Sequence, residues 1–95
     1  LDVWGLVSDF ETDGNGDYYI KTVVNNTKAR QKMVSNIMKY ASLYDLDGIN
    51  VDFEYINVSE GAGYLQFLRE LSIECRKKGI VLSIELSAVC MDRIL

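Results

Sequence analysis

The chain is 95 residues long, the size of one small domain, and 48% of it is apolar, enough for a packed core. Lys and Arg number 10 against 14 Asp and Glu, a formal charge of −4, which argues against a nucleic-acid partner whose phosphates need a basic face. Histidine is absent, which removes Ser-His and Cys-His nucleophiles and His-based metal sites, and no apolar run reaches the roughly 20 residues of a membrane-spanning helix.

In chain order, LDVWGLVSDF (1–10) reads as a short strand. Its apolar residues Val3, Trp4, Leu6 and Val7 run on without alternation, as in a parallel strand covered on both faces. It opens on Leu1 rather than Met and directly in strand-like sequence, so we read the chain as a piece of something longer. ETDGNGD (11–17) is a turn by its Gly, Asn and Asp content. Asp13, Asn15 and Asp17 stand at calcium-loop spacing, but that loop needs Gly at its sixth and Glu at its twelfth position; Tyr18 and Val24 stand there instead, and a plain turn is the better reading. YYIKTVVNN (18–26) fits either a helical turn or a short strand.

From Thr27 the period is helical. Met33, Val34, Ile37, Met38 and Ala41 share a face, with Lys32, Ser35 and Lys39 opposite, and Asn26 or Thr27 is a suitable cap. DLDG (45–48) ends the helix and the strand INVDFEYI follows. A second helix starts near Ser59 with Tyr64, Leu65, Leu68, Leu71 and Cys75 as its apolar stripe; Lys77 and Lys78 suit its negative end and Gly79 its C′ position. IVLSIELSAV (80–89) is a third strand. Asn25-Asn26-Thr27 and Asn57-Val58-Ser59 match the N-glycosylation triplet, yet both lie at expected helix starts, where capping explains them more simply. Cys75 and Cys90 form no CxxC motif and read as small packed residues.

The order strand, helix, strand, helix, strand predicts parallel strands joined by crossover helices. The fold class is therefore α/β, a piece of either a doubly wound sheet or a (β/α)₈ barrel; the lack of GxGxxG weakens a dinucleotide-binding sheet. Side chains two apart share one face of a strand, so Asn50, Asp52 and Glu54 point one way and Ile49, Val51 and Phe53 the other. In a barrel the apolar set packs on the outer helices and the polar set climbs toward the C-terminal rim, with Glu54 nearest it. Neighbouring carboxylates ~6.5–7 Å apart in a partly dry lumen interact, and one can hold the other's proton, which keeps an acid protonated for donation to a leaving group. An antiparallel edge strand with a wet face is the competing explanation; the parallel order of elements disfavours it.

DGINVDFE (47–54) resembles the D-x-x-D-x-D-x-E signature on the fourth strand of glycoside hydrolase family 18, the chitinase-like enzymes built on a (β/α)₈ TIM barrel. Asp47, Asp52 and Glu54 match, and Asn50 stands where the middle Asp is expected. WGLVSDF resembles the third strand of that family, KARQKMVSNIMKYASLYDLDGIN its third helix leading into the motif, and YLQFLRELSIECRKKGIVLSIELSAV its fourth helix and fifth strand. The wording is most similar to the bacterial branch of spore-cortex and cell-wall hydrolases. The resemblance implies that residues 1–95 are a partial catalytic domain covering about strands 3–5, and that the parent hydrolyses β-linked N-acetylglucosamine glycans, chitin or peptidoglycan, without a cofactor or metal. It implies Glu54 as general acid/base, Asp52 as the residue that orients and charge-stabilises the 2-acetamido group, and Asp47 and Asn50 as supports of Asp52. With Asn at position 50, one negative charge is missing, so Asp52 is expected to ionise more readily. The S-x-G-G motif of the family's third strand is absent, and no role passes to Ser8, Asp9 or Phe10 on that account.

Phe10, Tyr18 and Tyr19 follow the first strand, where aromatic rings line a barrel mouth and stack on sugars, although packing within the loop explains them equally. Tyr55 points opposite to Glu54 and is better read as packing. Glu85, mid-strand in LSIEL, is placed on the inward face, as a lumen contact or as a partner of the site residues. The resemblance also implies a secreted, cell-wall or spore-associated protein, with no nucleic-acid or membrane partner. Three strands cannot close a barrel, so the isolated chain is expected to be inactive and to self-associate through open sheet edges. Two rivals are a non-catalytic carbohydrate-binding barrel, disfavoured by the presence of Glu54, and a metal-dependent enzyme using Asp52 and Glu54 as Mg²⁺ ligands, which a chelator would inhibit.

Overall fold

The computed structural model of the chain describes residues 2–8, 19–53 and 61–86, the side chains of 19–21 and 86 excepted. Strand β1 (Trp4–Ser8) leads to helices α1 (Tyr19–Val24) and α2 (Thr27–Leu43), strand β2 (Gly48–Phe53), helix α3 (Gly61–Lys78) and strand β3 (Val81–Leu86). The three strands form one parallel sheet in the order β1-β2-β3. The sheet therefore grows strand by strand in sequence order, with β2 in the middle and no reversal of direction.

All three helices contribute to one core on one face of this sheet. Ile49, Val51 and Phe53 of β2 are buried there with Val34, Met38 and Ala41 of α2 and Tyr64, Phe67, Leu68, Leu71 and Cys75 of α3. The Phe53 ring lies against Tyr64 and Phe67, with centroids 5.3 and 5.4 Å away, a spacing at which aromatic pairs attract beyond their burial. Val24 closes the core from α1 with no exposed surface. Packing this close needs Gly63: a Cβ there would stand 2.4 Å from the Val24 carbonyl oxygen.

The ambiguous segment 18–26 is thus helical over residues 19–24, although Thr and Val favour strands locally. Burial of Val24 against α3 decides it, because local propensity is the weaker force. Asn26 separates the two helices. Its side chain accepts from the Ala29 N–H at 2.9 Å, the N-cap bond that spares an orphan donor of α2.

Both long helices stop in the same way. At the end of α3, Gly79 has φ +69°, its N–H donates to Arg76 O at 3.3 Å, and Ile80 N–H donates to Cys75 O at 2.9 Å. At the end of α2, Asp45 has φ 52°, with Asp45 N–H donating to Ser42 O at 3.3 Å and Leu46 N–H to Ala41 O at 2.9 Å. Each is a Schellman ending, which satisfies last-turn carbonyls and turns the chain sharply into the next strand.

The strands are tied together at their entry end by Asp47. Its N–H donates to Val3 O at 2.7 Å, its carbonyl accepts from Val81 N–H at 3.1 Å, and its carboxylate accepts from Val3 N–H at 2.8 Å. Arg30 ties the helices. Nε meets the Glu70 carboxylate at 2.9 Å, Nη1 donates to Val24 O at 2.8 Å, and Nη2 donates to Thr27 Oγ1 at 3.2 Å. One guanidinium thereby holds the end of α1, the start of α2 and the middle of α3.

Strand β1 departs from the expectation of cover on both faces. Val7 packs on the core, but Leu6 is 65% exposed and Trp4 45%. The uncovered face is the one opposite the helices.

Candidate active site

The uncovered face has a simple layout, because parallel register puts partners level. Trp4, Gly48 and Val81 form the row nearest the strand entries, Leu6, Asn50 and Ser83 the next, and Ser8, Asp52 and Glu85 the row nearest the strand exits. The face thus changes from apolar to polar along the strand direction. Gly48 lets the first row lie flat: a Cβ there would stand 2.5 Å from three atoms of the Trp4 indole.

Asn50 and Asp52 are both half-buried on this face, while their neighbours Ile49, Val51 and Phe53 are sealed on the other. Next to Asp52 in the chain, the Phe53 ring packs against Tyr64 and Phe67 on the covered face. The side chain of Asn50 donates through Nδ2 to Glu85 Oε1 at 3.2 Å. That amide orientation is the chemically sensible one, since the amide oxygen would repel a carboxylate. Glu85 itself is exposed.

The structure therefore brings together Asn50, Asp52 and Glu85. Asp47 lies elsewhere: it is five residues before Asp52, ~16 Å along the strand, and its carboxylate is engaged by Val3. No hydrogen bond joins Asp52 to either Asp47 or Asn50 among the described residues. Glu54, Phe10, Tyr18 and Tyr55 lie outside the described residues, as do the turn 11–17, the triplet 57–59 and Cys90. Tyr19 is the first residue of α1, and its side chain lies outside them too. The sequence leaves Glu85 as either a lumen contact or a partner of the site residues, and does not single out Asn50 as the residue it meets.

Concavity is not a guide to this chemistry. A groove of about 610 Å³, lined by Thr27, Arg30, Met38, Glu70 and Glu74, runs between α2 and α3 on the far side of the sheet from Asp52. No group of three or more metal-ligating side chains occurs among the described residues, and no described helix is long and apolar enough to cross a membrane.

A family model described as "Glycosyl hydrolases family 18" matches residues 11–94. Among curated proteins, the chain is 28% identical over 88 residues to YdhD of Bacillus subtilis (strain 168), named "Putative sporulation-specific glycosylase", covering 93% of this chain and 21% of YdhD. It is 26% identical over 95 residues to YvbX of the same organism, named "Uncharacterized glycosylase", covering 97% of this chain and 27% of YvbX. The chain thus spans about a fifth to a quarter of the length of these relatives. The crystal structure of YdhD superposes with a TM-score of 0.73 at 29% identity, over 83% of this chain and 26% of that one. That of the spore cortex-lytic enzyme SleL from Bacillus megaterium QM B1551 gives 0.76 at 20% identity, over 88% of this chain and 20% of that one, a likeness of fold.

Proposed function

The chain belongs to glycosyl hydrolases family 18, and on that premise we propose that the full-length protein hydrolyses β-linked N-acetylglucosamine glycans, chitin or peptidoglycan. Residues 1–95 are then part of its catalytic domain, contributing about strands 3–5 of a (β/α)₈ barrel. Two features support the barrel over a doubly wound sheet. The strands follow one another in sequence order, and the helix core lies on one face of the sheet. The bare face is then the lumen, and its polar row is the end nearest the catalytic rim.

One observation carries this reading. Asp52 sits half-buried on the bare face of the central strand, in the polar row, two residues before Glu54. By alternation Glu54 follows on that face, one step closer to the rim. In the proposed reaction Glu54 donates its proton to the glycosidic oxygen as the C1–O bond breaks. The carbonyl oxygen of the substrate's own 2-acetamido group bonds to C1 on the opposite face, giving an oxazolinium ion. Asp52 accepts the acetamido N–H and balances the positive charge. Water then attacks C1, the ring opens, and Glu54 takes the proton from that water. Substrate-assisted hydrolysis of this kind suits a site whose two carboxylates share one strand face, because neither lies across the sugar as a nucleophile must. Phe10, Tyr18 and Tyr19 are proposed as sugar-stacking residues at the mouth.

Glu54→Gln in the full-length protein tests this. Gln keeps the shape but has no acidic proton, so turnover of a chitin oligomer or of purified peptidoglycan falls by at least the ~10²–10⁴-fold typical of acid catalysis, with the fold intact by circular dichroism. Near-normal turnover in this variant removes Glu54 as the acid. Glycan binding by the wild type with no hydrolysis identifies a carbohydrate-binding barrel instead, and inhibition by a chelator identifies a metal enzyme.

A further inference from the structure

On the function proposed above, we propose that the solvent side of α2, carrying Lys28, Lys32 and Lys39 in one row, is a docking surface for peptidoglycan: it holds the peptide-stem carboxylates of a glycan strand outside the cleft and keeps the protein on the charged polymer while the cleft works.

The net charge of −4 hides a separation of charge. Helices α2 and α3 carry four Lys or Arg each, eight of the chain's 10, but only Glu70 and Glu74 of its 14 Asp and Glu. Both of these acids are taken, Glu70 by Arg30 at 2.9 Å and Glu74 by Lys77 at 3.4 Å. Helix α2 has no acid at all. Lys28, Lys32 and Lys39 are exposed, and no carboxylate among the described residues pairs with them. At about 3.6 residues per turn the three fall within about 40° of one another, on the side of the helix away from the buried Val34, Met38 and Ala41. They make a row ~16 Å long.

Helix stability does not account for this row. Lys28 stands in the first turn, where the helix dipole favours an acid. Lys28 and Lys32 are four residues apart, a like-charge spacing that weakens a helix. In α3 the reverse holds: Arg76, Lys77 and Lys78 lie in the last turn, where the dipole favours cations, and they need no partner to explain them. The α2 row breaks local preference with no compensating contact among the described residues, and an external anion supplies what is missing. Cations in line, each worth little alone and screened by salt, suit a polymer of repeated negative charge. Chitin has no charge. Peptidoglycan carries carboxylates on its peptide stems and is the charged one of the two glycans proposed for the cleft. The position suits this as well. Helix α2 ends at the entry of β2, so its first turn lies toward the strand exits, the end at which Asp52 stands. A strand held on the row therefore stays close to the catalytic rim, which raises the effective concentration of cleavable bonds.

The experiment is co-sedimentation of the full-length protein with sacculi stripped of wall phosphate polymers by hydrofluoric acid, which leaves the peptide carboxylates as the anions. A Glu54→Gln background keeps the sacculi whole. The parent is compared with Lys28→Gln/Lys32→Gln/Lys39→Gln and with Lys28→Arg/Lys32→Arg/Lys39→Arg, each checked for folding by circular dichroism. At low salt the Gln variant binds about tenfold more weakly than the parent, and the Arg variant binds as the parent does. High salt, or amidation of the sacculus carboxyls, brings the parent down to the level of the Gln variant. With Glu54 restored, turnover of a short uncharged N-acetylglucosamine oligomer is the same in all three, because the row lies outside the cleft. A Gln variant that binds as tightly as the parent overturns the proposal. So does parent binding that survives amidation, or that appears only on unstripped sacculi, which would assign the row to a phosphate polymer. If no GlcNAc polymer is hydrolysed by the wild type, the proposed function fails, and the sedimentation still decides whether the row holds peptidoglycan.

Discussion

The two faces of β2 obey different demands within six residues. On one face Ile49, Val51 and Phe53 are at most 1% exposed, enclosed by helices that the same chain supplies. On the other, Asn50 and Asp52 are half-buried beside Leu6, which is 65% exposed. The first face is enclosed among the described residues; the second is not. Local sequence is enough to build the support, because each helix lies next in the chain to the strand it covers. On the proposed function, the chemistry faces a space that the described residues do not enclose.

Substitutions on the two faces should therefore fail in opposite ways, and the largest effect on folding belongs to Phe53→Ala. It removes a ring packed on Tyr64 and Phe67 and leaves a cavity with rigid walls, so we expect a loss of ~3–5 kcal/mol in urea unfolding of the full-length protein. Asp52→Asn, one residue away, is expected to change stability by no more than ~0.5 kcal/mol while removing most turnover. If Asp52→Asn instead unfolds the protein, or Phe53→Ala leaves it intact, the division between a supporting face and a working face is wrong.

That division explains what the sequence revealed. The apolar stripe of α2, the Asn26 cap, Gly79 at the end of α3 and the alternation in β2 are all local signals, and each stands where its period or cap places it. Two misses are local as well. Phe67 is fully buried although the stripe read from Tyr64, Leu65, Leu68, Leu71 and Cys75 does not include it; it lies three residues after Tyr64 and four before Leu71. Residues 19–24 carry too short a pattern to separate helix from strand, and only contact with Gly63 settles them. The other surprises are long-range. Neither the Arg30–Glu70 pair, 40 residues apart, nor the Asn50–Glu85 bond, 35 apart, leaves a periodic trace. In the candidate site, register joins Asp52 to Glu85, while Asp47 is occupied at the base of the sheet.

Arg30 tests whether the supporting face is held by packing alone. Its side chain is 12% exposed and that of Glu70 22%, so breaking the pair leaves a poorly solvated carboxylate and an unpaired Val24 carbonyl. We expect Arg30→Met to cost ~1–3 kcal/mol, less than Phe53→Ala. The double variant Arg30→Met/Glu70→Met should recover part of that loss, because the stranded charge is gone. A double variant as unstable as the single one would place the whole cost in the bonds to Val24 and Thr27. Turnover per folded molecule should stay unchanged in both, since α2 and α3 touch only the covered face.

The smallest effect concerns Cys75, which is 1% exposed with its Sγ 4.0 Å from Met38 Sδ. Burial pushes its thiol above the usual range, and the neighbouring Glu74 carboxylate adds to the rise. The folded state therefore keeps a proton that the unfolded chain gives up. The stabilisation from this group is fully present below the unfolded thiol value, about 8.5, and is lost as pH rises from there through the folded value. Measured in a Cys90→Ser background, the stability of the full-length protein should fall more steeply above that pH than in the same background with Cys75→Ala. The comparison must be one of slopes, because Cys75→Ala also leaves a small cavity that lowers stability equally at every pH. The buried thiol should also react with an aromatic disulfide reagent only after denaturant is added. Rapid labelling of Cys75 in the native protein, or equal alkaline slopes with and without its sulfur, would show that the core beneath β2 admits solvent, and the contrast between the two faces would narrow accordingly.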